Sequence, residues 1–234
     1  YTTADILDTV KKSGAQTVLL INPDNPSGHF IEKKDVLFLL DELEDLGARL
    51  IFDESFIDFA DKEKRYTLLD DKVLSLFPNL IVIKSISKSY GVPGLRLGVL
   101  ATGDTAYSSR IRKKVAIWNI NCFGENFLQI VDKYKKAYAD ACDSIGMERE
   151  YFAAELQKLP GVHVYPSQAN YVLCKLESGV NAGELGVKLL EEHNIFIKDL
   201  SSKRGFEDGQ YMRLAIRDRH DNTVLLQALR AQLS

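Results

Sequence analysis

The sequence predicts an α/β protein, with a doubly wound, mainly parallel sheet in its first part and a small C-terminal α/β domain. Through the first hundred residues, short apolar runs alternate with helical segments and polar loops, a rhythm typical of parallel strands joined by crossover helices. A second series of strands and helices follows the Pro-Gly pair at 160–161. We therefore assign residues 1–145 to part of a large domain and residues 146–234 to a small domain.

The apolar runs of the first part read as buried strands, because they are short, rich in Val, Ile and Leu, and bounded by turn residues. The helical segments between them repeat apolar residues at helical spacing and stop at Gly14 and Gly47. The predicted elements are, in order, helix 5–12, strand 17–21, helix 35–46, strand 48–52, strand 80–83 and strand 95–101.

The small domain alternates strands and helices with short loops, after a long helical stretch that runs from Glu125 to Ile145 with an apolar stripe expected to lie in the core. Its predicted elements are strands 162–165 and 171–175, helix 182–192, strands 195–197 and 211–216, and helix 221–232. Arg213 and Arg217 fall four residues apart, on one face of an extended strand. Two arginines there suit an anionic ligand, and a pair of surface salt bridges is the alternative.

The composition is that of an ordinary globular protein and argues against several classes of function. The 234 residues are 45% hydrophobic and 27% charged, and the formal net charge is −3, with basic residues spread along the chain. This balance predicts neither a nucleic-acid nor a membrane partner. No apolar run approaches the length of a membrane span, and no signal peptide opens the chain.

Three cysteines are present, Cys122, Cys142 and Cys174, and their spacing is not that of a metal site. We therefore expect free thiols in a reducing compartment, the cytoplasm, and no bound metal. Because the sequence begins with Tyr1 rather than methionine, we expect it to be part of a longer polypeptide.

Polar residues follow three of the predicted parallel strands. The loop 22–28, with the sequence NPDNPSG, contains two Asn-Pro pairs and predicts a sharp, rigid turn that suits a cis proline. Asp53 ends the next strand, where it is either a functional acid or the cap of the following turn. Because the carboxyl ends of parallel strands share one edge of a sheet, we expect Asn25, Asp53 and Lys88 to converge on one crevice.

The segment 85–98 has the composition of a phosphate site beside a nucleophile. The hydroxyls of Ser85 and Ser87 and the guanidinium of Arg96 are suited to phosphate oxygens. A lysine just past a buried strand, here Lys88, is expected to be partly desolvated, which favours the neutral, nucleophilic amine. Together they suggest a phosphorylated carbonyl cofactor held as a Schiff base. The alternative is a surface Lys/Arg pair in a polar loop.

Three motifs in this order resemble those of the class I/II aminotransferases, the pyridoxal-phosphate enzymes of fold type I. They are NPDNPSG at 22–28, DESF at 53–56, and SISK at 85–88 followed by GLRLG at 94–98. Each motif alone is weakly specific, whereas the set in this order and spacing is highly specific. The resemblance extends over the whole chain and implies a fold type I aminotransferase-like architecture, with a large cofactor-binding domain.

Within that family, the chain looks closest to the branch of the histidinol-phosphate aminotransferases, which includes threonine-phosphate decarboxylases. The nearer match rests on WNIN at 118–121, SQANY at 167–171 and YMRLAIR at 211–217. The resemblance implies amino acid and keto acid substrates, and a homodimer when the protein is full-length.

The resemblance implies pyridoxal 5′-phosphate as the cofactor and assigns roles to several residues. Lys88 would form a Schiff base with it and then shuttle a proton at the substrate Cα. Asp53 would pair with the pyridine nitrogen, which makes the ring an electron sink, and Asn25 would hydrogen-bond the 3′ oxygen. The phosphate would be held by Ser85, Ser87 and Arg96.

The implied substrate site involves four residues. Arg213 would fork onto the substrate α-carboxylate, and Arg217 would add charge for a second anionic group such as a phosphate or phosphonate. Asn121 and Asn170 would line the site.

The chain departs from the family pattern in two places. Phe56 stands where many members have a tyrosine that hydrogen-bonds the 3′ oxygen. The family's leading segment, with a phosphate loop and an aromatic residue that stacks on the pyridine ring, does not precede Tyr1. We therefore interpret the sequence as a partial chain that lacks the amino-terminal segment.

Three hypotheses about function follow. The first is a pyridoxal-phosphate-dependent aminotransferase that acts through Lys88 on an amino acid. A narrower form of this hypothesis is that the amino acid carries a phosphate or phosphonate group. The second is a threonine-phosphate-type decarboxylase on the same scaffold. The third is a non-catalytic cofactor-binding or regulatory module of a larger chain.

Overall fold

The computed structural model describes residues 1–177 and 179–233, and its backbone separates into two compact units. Unit 1 comprises residues 1–23 and 30–140. Unit 2 comprises residues 24–29 together with the chain from Ala141 onward. The loop 24–29 therefore groups with the later part of the chain although it follows the first strand. The domain boundary that we place at 145/146 stays a prediction.

Unit 1 contains a four-stranded sheet, and the predicted α/β class is confirmed. Its strands are β1 (Thr17–Ile21), β2 (Arg49–Asp53), β3 (Leu80–Ser85) and β4 (Gly98–Thr102), in the order β1-β2-β3-β4. The first three strands are parallel, and β4 is antiparallel to β3. The strand expected at 95–101 begins only at Gly98, because Pro93–Leu95 forms a 3₁₀ turn and Arg96 adopts the left-handed conformation, with φ 55°.

Helices precede, separate and follow these strands along the chain. They are α1 (Thr3–Ser13), α2 (Lys33–Asp45), α3 (Asp71–Leu76), α4 (Ile86–Ser89), α5 (Thr105–Arg112) and α6 (Cys122–Ile130). A capping box between Thr2 and Asp5 starts α1, and Gly14 ends it in the left-handed conformation. Apolar residues of α1 and α2 form one core with β2, in which Leu39 and Phe52 are fully buried.

The long helical stretch predicted from Glu125 differs from the observed structure. A 3₁₀ turn at Val131–Tyr134 separates α6 from the next helix, α7 (Lys135–Leu156). Within α6, all of whose residues are described, Gly124 alone is buried, and the two residues of the predicted stripe, Phe127 and Ile130, are only half-buried. The expectation that this apolar stripe lies in the core was therefore wrong for α6.

Unit 2 contains an antiparallel sheet covered by helices. Its strands are β5 (Val162–Val164), β6 (Tyr171–Leu176), β7 (Lys198–Asp199) and β8 (Gln210–Ala215), in the order β5-β6-β8-β7. The helices are the second part of α7, then α8 (Ala182–His193) and α9 (Arg219–Leu233). Phe152, Leu189, Met212 and Leu229 lie in its core. The strand predicted at 195–197 does not form there: these residues have no regular secondary structure, and the two-residue β7 follows them at Lys198–Asp199.

The cysteines are free thiols, as predicted, with Cys122 exposed and Cys142 and Cys174 buried. Burial raises the pKa of the Cys174 thiol to about 12. Among the described residues, we find no helix that combines the length and apolar character needed to span a membrane.

Candidate active site

Two of the predicted site residues lie at the carboxyl ends of neighbouring parallel strands. Asp53 is the last residue of β2 and Ser85 is the last residue of β3, and the pairing of these strands sets Asp53 opposite Ile83. The chain leaves both strands at the same edge of the sheet, as the parallel arrangement requires. Asp53 is partly exposed there, which leaves its carboxylate accessible to a ligand.

Asp53 is held in place by Ser55. The Ser55 hydroxyl donates to Asp53 Oδ1 at 2.5 Å, and the Ser55 backbone N–H donates to the same oxygen at 2.9 Å. Ser55 Oγ in turn accepts a hydrogen bond from the backbone N–H of Ser85 at 2.9 Å. The ends of β2 and β3 are therefore joined through one buried side chain.

Lys88 lies on the four-residue helix α4, which starts immediately after β3. Its neighbours Ser87 and Ser89 are buried, whereas Lys88 is exposed. The Lys88 Nζ lies 4.8 Å from the centroid of the Phe56 ring, a cation–π geometry. The partly desolvated lysine expected from the sequence is therefore not what this chain shows, since α4 directs its two serines inward and its lysine outward.

The turn that follows α4 carries Arg96. Ser87 Oγ accepts from the Leu97 N–H at 3.0 Å and donates to the Leu97 carbonyl at 3.3 Å. Arg96 is exposed, and its left-handed backbone conformation is uncommon for a residue other than glycine. Both of these side-chain hydrogen bonds hold Leu97, the residue after Arg96. The predicted contact of Ser87 with a phosphate stays a prediction.

Asn121 supports the same turn from the other side. Its side-chain amide donates to the Leu95 carbonyl at 2.9 Å, and its Oδ1 caps the start of α6 by accepting from the Gly124 N–H. Asn121 therefore connects α6 to the residue before Arg96. Its predicted place in a substrate site is not tested by these contacts.

A buried ionic cluster lies beside the Asp53 strand end. Glu54 has no exposed surface and accepts hydrogen bonds from Thr67 and from the Leu68 N–H. The Lys84 Nζ lies 2.9 Å from Asp58 Oδ1 and 3.7 Å from Glu54 Oε1. Burial raises the pKa of Glu54, although the two hydrogen bonds and Lys84 oppose that shift.

Unit 2 brings Asn25 and Arg213 together. The Arg213 guanidinium donates to Asn25 Oδ1 at 2.7 Å and lies 4.9 Å from the centroid of the Tyr171 ring. The Tyr171 hydroxyl donates to the Asp24 carbonyl at 2.9 Å. The loop 24–29 is thereby tied to β6 and β8, which face it with an aromatic ring and a guanidinium.

Arg217 is placed differently from the prediction. Because β8 ends at Ala215, Arg217 lies beyond the strand rather than on its face. Its side chain pairs with Asp221 at 2.5 Å, and its backbone is held by two hydrogen bonds with the buried Asn222. The Asp221 carboxylate raises the pKa of Arg217.

A cavity of about 590 Å³ in unit 2 is lined by both arginines, Arg213 and Arg217, and by Lys198 and Phe196. Lys198 is the register partner of Arg213 across β7 and β8. Asn170, predicted to line a substrate site, is not among the residues that line this cavity. Its backbone carbonyl accepts a hydrogen bond from the Ile216 N–H. Asp221, the ion-pair partner of Arg217, also lines the cavity, so its walls combine three cationic side chains, one carboxylate and apolar residues. The excess of positive charge beside apolar walls suits an anion with a carbon skeleton.

Ser55 and Asn222 are two residues of these sites that none of the sequence patterns above had indicated. Ser55 occupies the second position after Asp53, where an aspartate side chain regularly accepts from the backbone in an Asx turn, and that spacing was the available signal. Asn222 bonds the Arg217 backbone five residues earlier and Glu148 74 residues earlier. No standard turn or cap motif predicts that pair of bonds.

Nearly the whole chain matches a family model. Residues 2–229 fit the model described as aminotransferase class I and II. The chain therefore belongs to the class I/II aminotransferase family, and its fold is that of fold type I, as the sequence motifs predict.

Individual relatives agree with the family assignment. The chain is 35% identical over 227 residues to the L-serine phosphate decarboxylase of Sulfurospirillum multivorans, covering 96% of this chain and 57% of that protein. It is 31% identical to the histidinol-phosphate aminotransferase of Caldanaerobacter subterraneus, covering 100% of this chain and 62% of the relative. The solved structure of a decarboxylase from Sulfurospirillum multivorans superposes with a TM-score of 0.88 at 33% identity, covering 100% of this chain and 66% of that one. The chain thus spans about three-fifths of these curated relatives.

Members of this family depend on pyridoxal 5′-phosphate, and the donor set of unit 1 fits that cofactor. The set contains a carboxylate fixed at a strand end, Asp53, and an exposed primary amine, Lys88. It also contains an exposed guanidinium, Arg96, and a serine, Ser85, on either side of that lysine. The carboxylate suits the ring nitrogen of the cofactor, and the amine suits its aldehyde. The guanidinium and the serine suit its phosphate.

Proposed function

We propose that this chain is part of a pyridoxal-phosphate-dependent aminotransferase that acts on an amino acid. The observation that carries the proposal is the junction of β2 and β3, where Ser55 fixes the Asp53 carboxylate beside the start of the helix that bears Lys88. Pyridoxal phosphate supplies, when bound, an aldehyde that condenses with amines and a ring that accepts the electron pair released at the substrate Cα.

The proposed roles follow from the chemistry of each side chain. The Lys88 amine holds the cofactor and moves a proton at the substrate Cα. The Asp53 carboxylate keeps a proton on the ring nitrogen through a charge-assisted hydrogen bond. Asn25 has an amide donor for the 3′ oxygen, because its Oδ1 already accepts from Arg213.

We further propose that the substrate carries two anionic groups. Arg213 has the planar donor pair that an α-carboxylate needs, and Arg217 adds a second guanidinium to the same cavity. One relative named above has L-serine phosphate in its name, a compound with both an α-carboxylate and a phosphate, which supports a phosphorylated amino acid as substrate. The other has histidinol phosphate in its name, a compound without a carboxylate, which supports only the phosphate.

A threonine-phosphate-type decarboxylase is the second candidate. It is favoured by the 35% identity to a decarboxylase, against 31% for an aminotransferase, both over nearly the whole chain. The two reactions differ in the bond broken at Cα, so their products separate them. The predictions of a homodimer and of a cytoplasmic location stay predictions.

The decisive experiment titrates the protein with pyridoxal phosphate and follows visible absorbance, in the wild type and in Lys88→Ala. We expect a band in the wild type only, and after borohydride reduction a pyridoxyl group on the peptide that contains Lys88. Lys84→Ala is the matched control, because Lys84 lies four residues earlier and is bonded to Asp58.

O-phosphoserine is then added with 2-oxoglutarate. Formation of glutamate supports transamination, and release of carbon dioxide supports decarboxylation. A protein that gives no Lys88-dependent band, alone and within its full-length chain, would contradict the enzyme proposal and favour a non-catalytic module.

A further inference from the structure

Ser55 is a buried serine to which the family motifs assign no role, and its contacts with Asp53 distinguish the two oxygens of that carboxylate. Its side chain is 2% exposed. Its hydroxyl and its backbone N–H both donate to Asp53 Oδ1, at 2.5 and 2.9 Å. Two donors from one residue thus converge on a single carboxylate oxygen.

The orientation of that hydroxyl is fixed by a third hydrogen bond. The Ser85 N–H donates to Ser55 Oγ at 2.9 Å, which occupies a lone pair of the oxygen and leaves the hydroxyl proton to point to Asp53. The Ser89 hydroxyl donates to the Ser55 carbonyl at 3.2 Å. Ser55 is therefore bonded to the end of β2, to the end of β3 and to α4.

We propose that Ser55 is a positioning residue that orients the Asp53 carboxylate for the ring nitrogen of the cofactor. Both bonds from Ser55 require an acceptor at Oδ1, so this oxygen faces the protein and Oδ2 is presented to the ligand. A proton shared between Asp53 and the ring nitrogen is then held at Oδ2. This inference rests on the proposed function, because it takes Asp53 as the partner of the ring.

Preorganisation is the physical benefit of this arrangement. Hydrogen bonds to an ionised carboxylate are stronger than bonds between neutral groups, and a donor already in place need not reorganise when the ligand binds. Without the hydroxyl, the Asp53 side chain keeps only the backbone N–H of residue 55 among these donors, and it gains rotational freedom. The Ser85 N–H also loses its acceptor.

The test compares Ser55→Ala with Asp53→Asn as reference and Ser89→Ala as matched control. Ser89 is also buried and bonded to Ser55, but its hydroxyl does not contact Asp53.

Each variant is loaded with pyridoxal phosphate, and the visible band is titrated with pH. We expect Ser55→Ala to move the midpoint in the direction in which Asp53→Asn moves it, but less far. We also expect the cofactor affinity of Ser55→Ala to be about tenfold below that of the wild type. Ser89→Ala is expected to keep the wild-type midpoint.

The inference is overturned if Ser55→Ala keeps the wild-type midpoint and affinity, or if Ser89→Ala shifts the midpoint as far as Ser55→Ala. If Ser55→Ala does not fold, Ser55→Cys decides, since it keeps the volume with a weaker donor, and a wild-type midpoint in that variant also overturns the inference. A wild-type protein without a Lys88-dependent band overturns the proposed function first, and this inference with it. The two failures are therefore distinguishable.

Discussion

The Arg213 guanidinium donates a 2.7 Å hydrogen bond to Asn25 Oδ1, across 188 residues of sequence. The bond holds the arginine from one side, and the Tyr171 ring lies 4.9 Å from the Cζ atom. A guanidinium has five N–H donors, so donors remain for a carboxylate ligand. The Asn25 side chain is therefore expected to hold the Arg213 guanidinium in position for that carboxylate.

Replacing Asn25 by aspartate is expected to weaken binding of the amino acid substrate more than replacing it by alanine. A carboxylate at position 25 pairs with Arg213 and competes with the α-carboxylate of the substrate, whereas alanine only removes an acceptor. A hydrogen bond to a charged group contributes about 1.5–3 kcal/mol, which is an upper bound on what losing the position of Arg213 costs in binding. We therefore expect Asn25→Ala to raise the Kd about tenfold. Spectroscopic titration of the cofactor-loaded variants with substrate measures both values.

Lys203→Ala is the control for this pair. Lys203 donates to the backbone carbonyl of Asn25 at 3.2 Å and is exposed, so its removal changes the same loop without touching the guanidinium. Its Kd should stay within about twofold of the wild type, as for most exposed contacts. An Asn25→Asp variant that binds substrate as tightly as the wild type would show that Asn25 does not control Arg213.

Removing Asp221 is expected to favour phosphorylated substrates. Asp221 lies 2.5 Å from Arg217 and neutralises it, and the two side chains are 36% and 70% exposed, respectively. Asp221→Asn leaves the guanidinium with net charge for an anion. Because exposed ion pairs are weak and screened by salt, we expect the Kd of O-phosphoserine to fall only about threefold at low ionic strength and to return toward the wild-type value at high salt.

Two comparisons accompany the Asp221→Asn measurement. Serine, which lacks the phosphate, should bind the variant and the wild type alike. Glu191→Gln changes the net charge equally from an exposed position on α8 and should not alter the preference. If serine gained as much affinity as O-phosphoserine, Arg217 would not distinguish the two substrates.

Local patterns predicted most strands, while the contacts that complete the candidate site depend on residues distant in sequence. The strands at 17–21 and 171–175 match β1 and β6 within a residue, because short apolar runs with turn residues at both ends encode buried strands. The hydrogen bond between Asn25 and Arg213, for example, joins residues 188 positions apart. Arg217 was misplaced for a different reason: its backbone is bonded by Asn222, only five residues later, and the alternating pattern of β8 does not indicate that bond.

Hydrophobic periodicity did not predict which of these side chains are buried and which are exposed. The apolar stripe of α6 has helical spacing, but spacing defines only a face of a helix, and what packs on that face is a tertiary property. Lys88 was similarly expected to be desolvated after a buried strand, whereas α4 turns it outward between two buried serines. The motifs located the candidate residues, and their environments required the structure.

The buried Glu54 predicts a pH dependence of stability with a definite sign. Its pKa is raised above the ordinary value of 4.5, mainly by burial. Between 4.5 and the raised value, the folded protein binds more protons than the unfolded chain, so the contribution of Glu54 to the free energy of unfolding falls as the pH rises through that window. The difference between Glu54→Gln and wild type should therefore shift in favour of the variant over the same window.

Urea unfolding followed by far-UV circular dichroism, repeated between pH 4 and pH 7, about the range in which a raised carboxyl titrates, measures this difference. Glu44→Gln removes one exposed carboxylate and serves as the control for net charge. A difference between Glu54→Gln and wild type that stays constant with pH would show that burial does not govern the titration of Glu54.

Gly28 is expected to be the glycine of unit 2 that tolerates alanine least. It has φ +73°, and a Cβ there would overlap the side chain and backbone of Ser167. Ser167 has little freedom to move away, because its Oγ donates to the Tyr171 carbonyl at 2.6 Å and accepts from the Ala169 N–H at 3.0 Å. The Gly28 carbonyl also accepts from the Gln168 N–H at 2.9 Å.

Gly28→Ala should lower the free energy of unfolding by about 2–4 kcal/mol, since overpacking adds about 1–3 kcal/mol to the backbone cost of about 1 kcal/mol at positive φ. Gly205→Ala is the matched control, because Gly205 has φ +89° but nothing near its Cβ, so it should show the backbone cost alone. Denaturant unfolding gives both values.

The double variant Gly28→Ala with Ser167→Gly removes the overlapping side chain, and a coupling energy of about 1 kcal/mol or more between the two changes would identify the overlap as the cause. Strictly additive effects would instead assign the whole loss to the backbone conformation of residue 28.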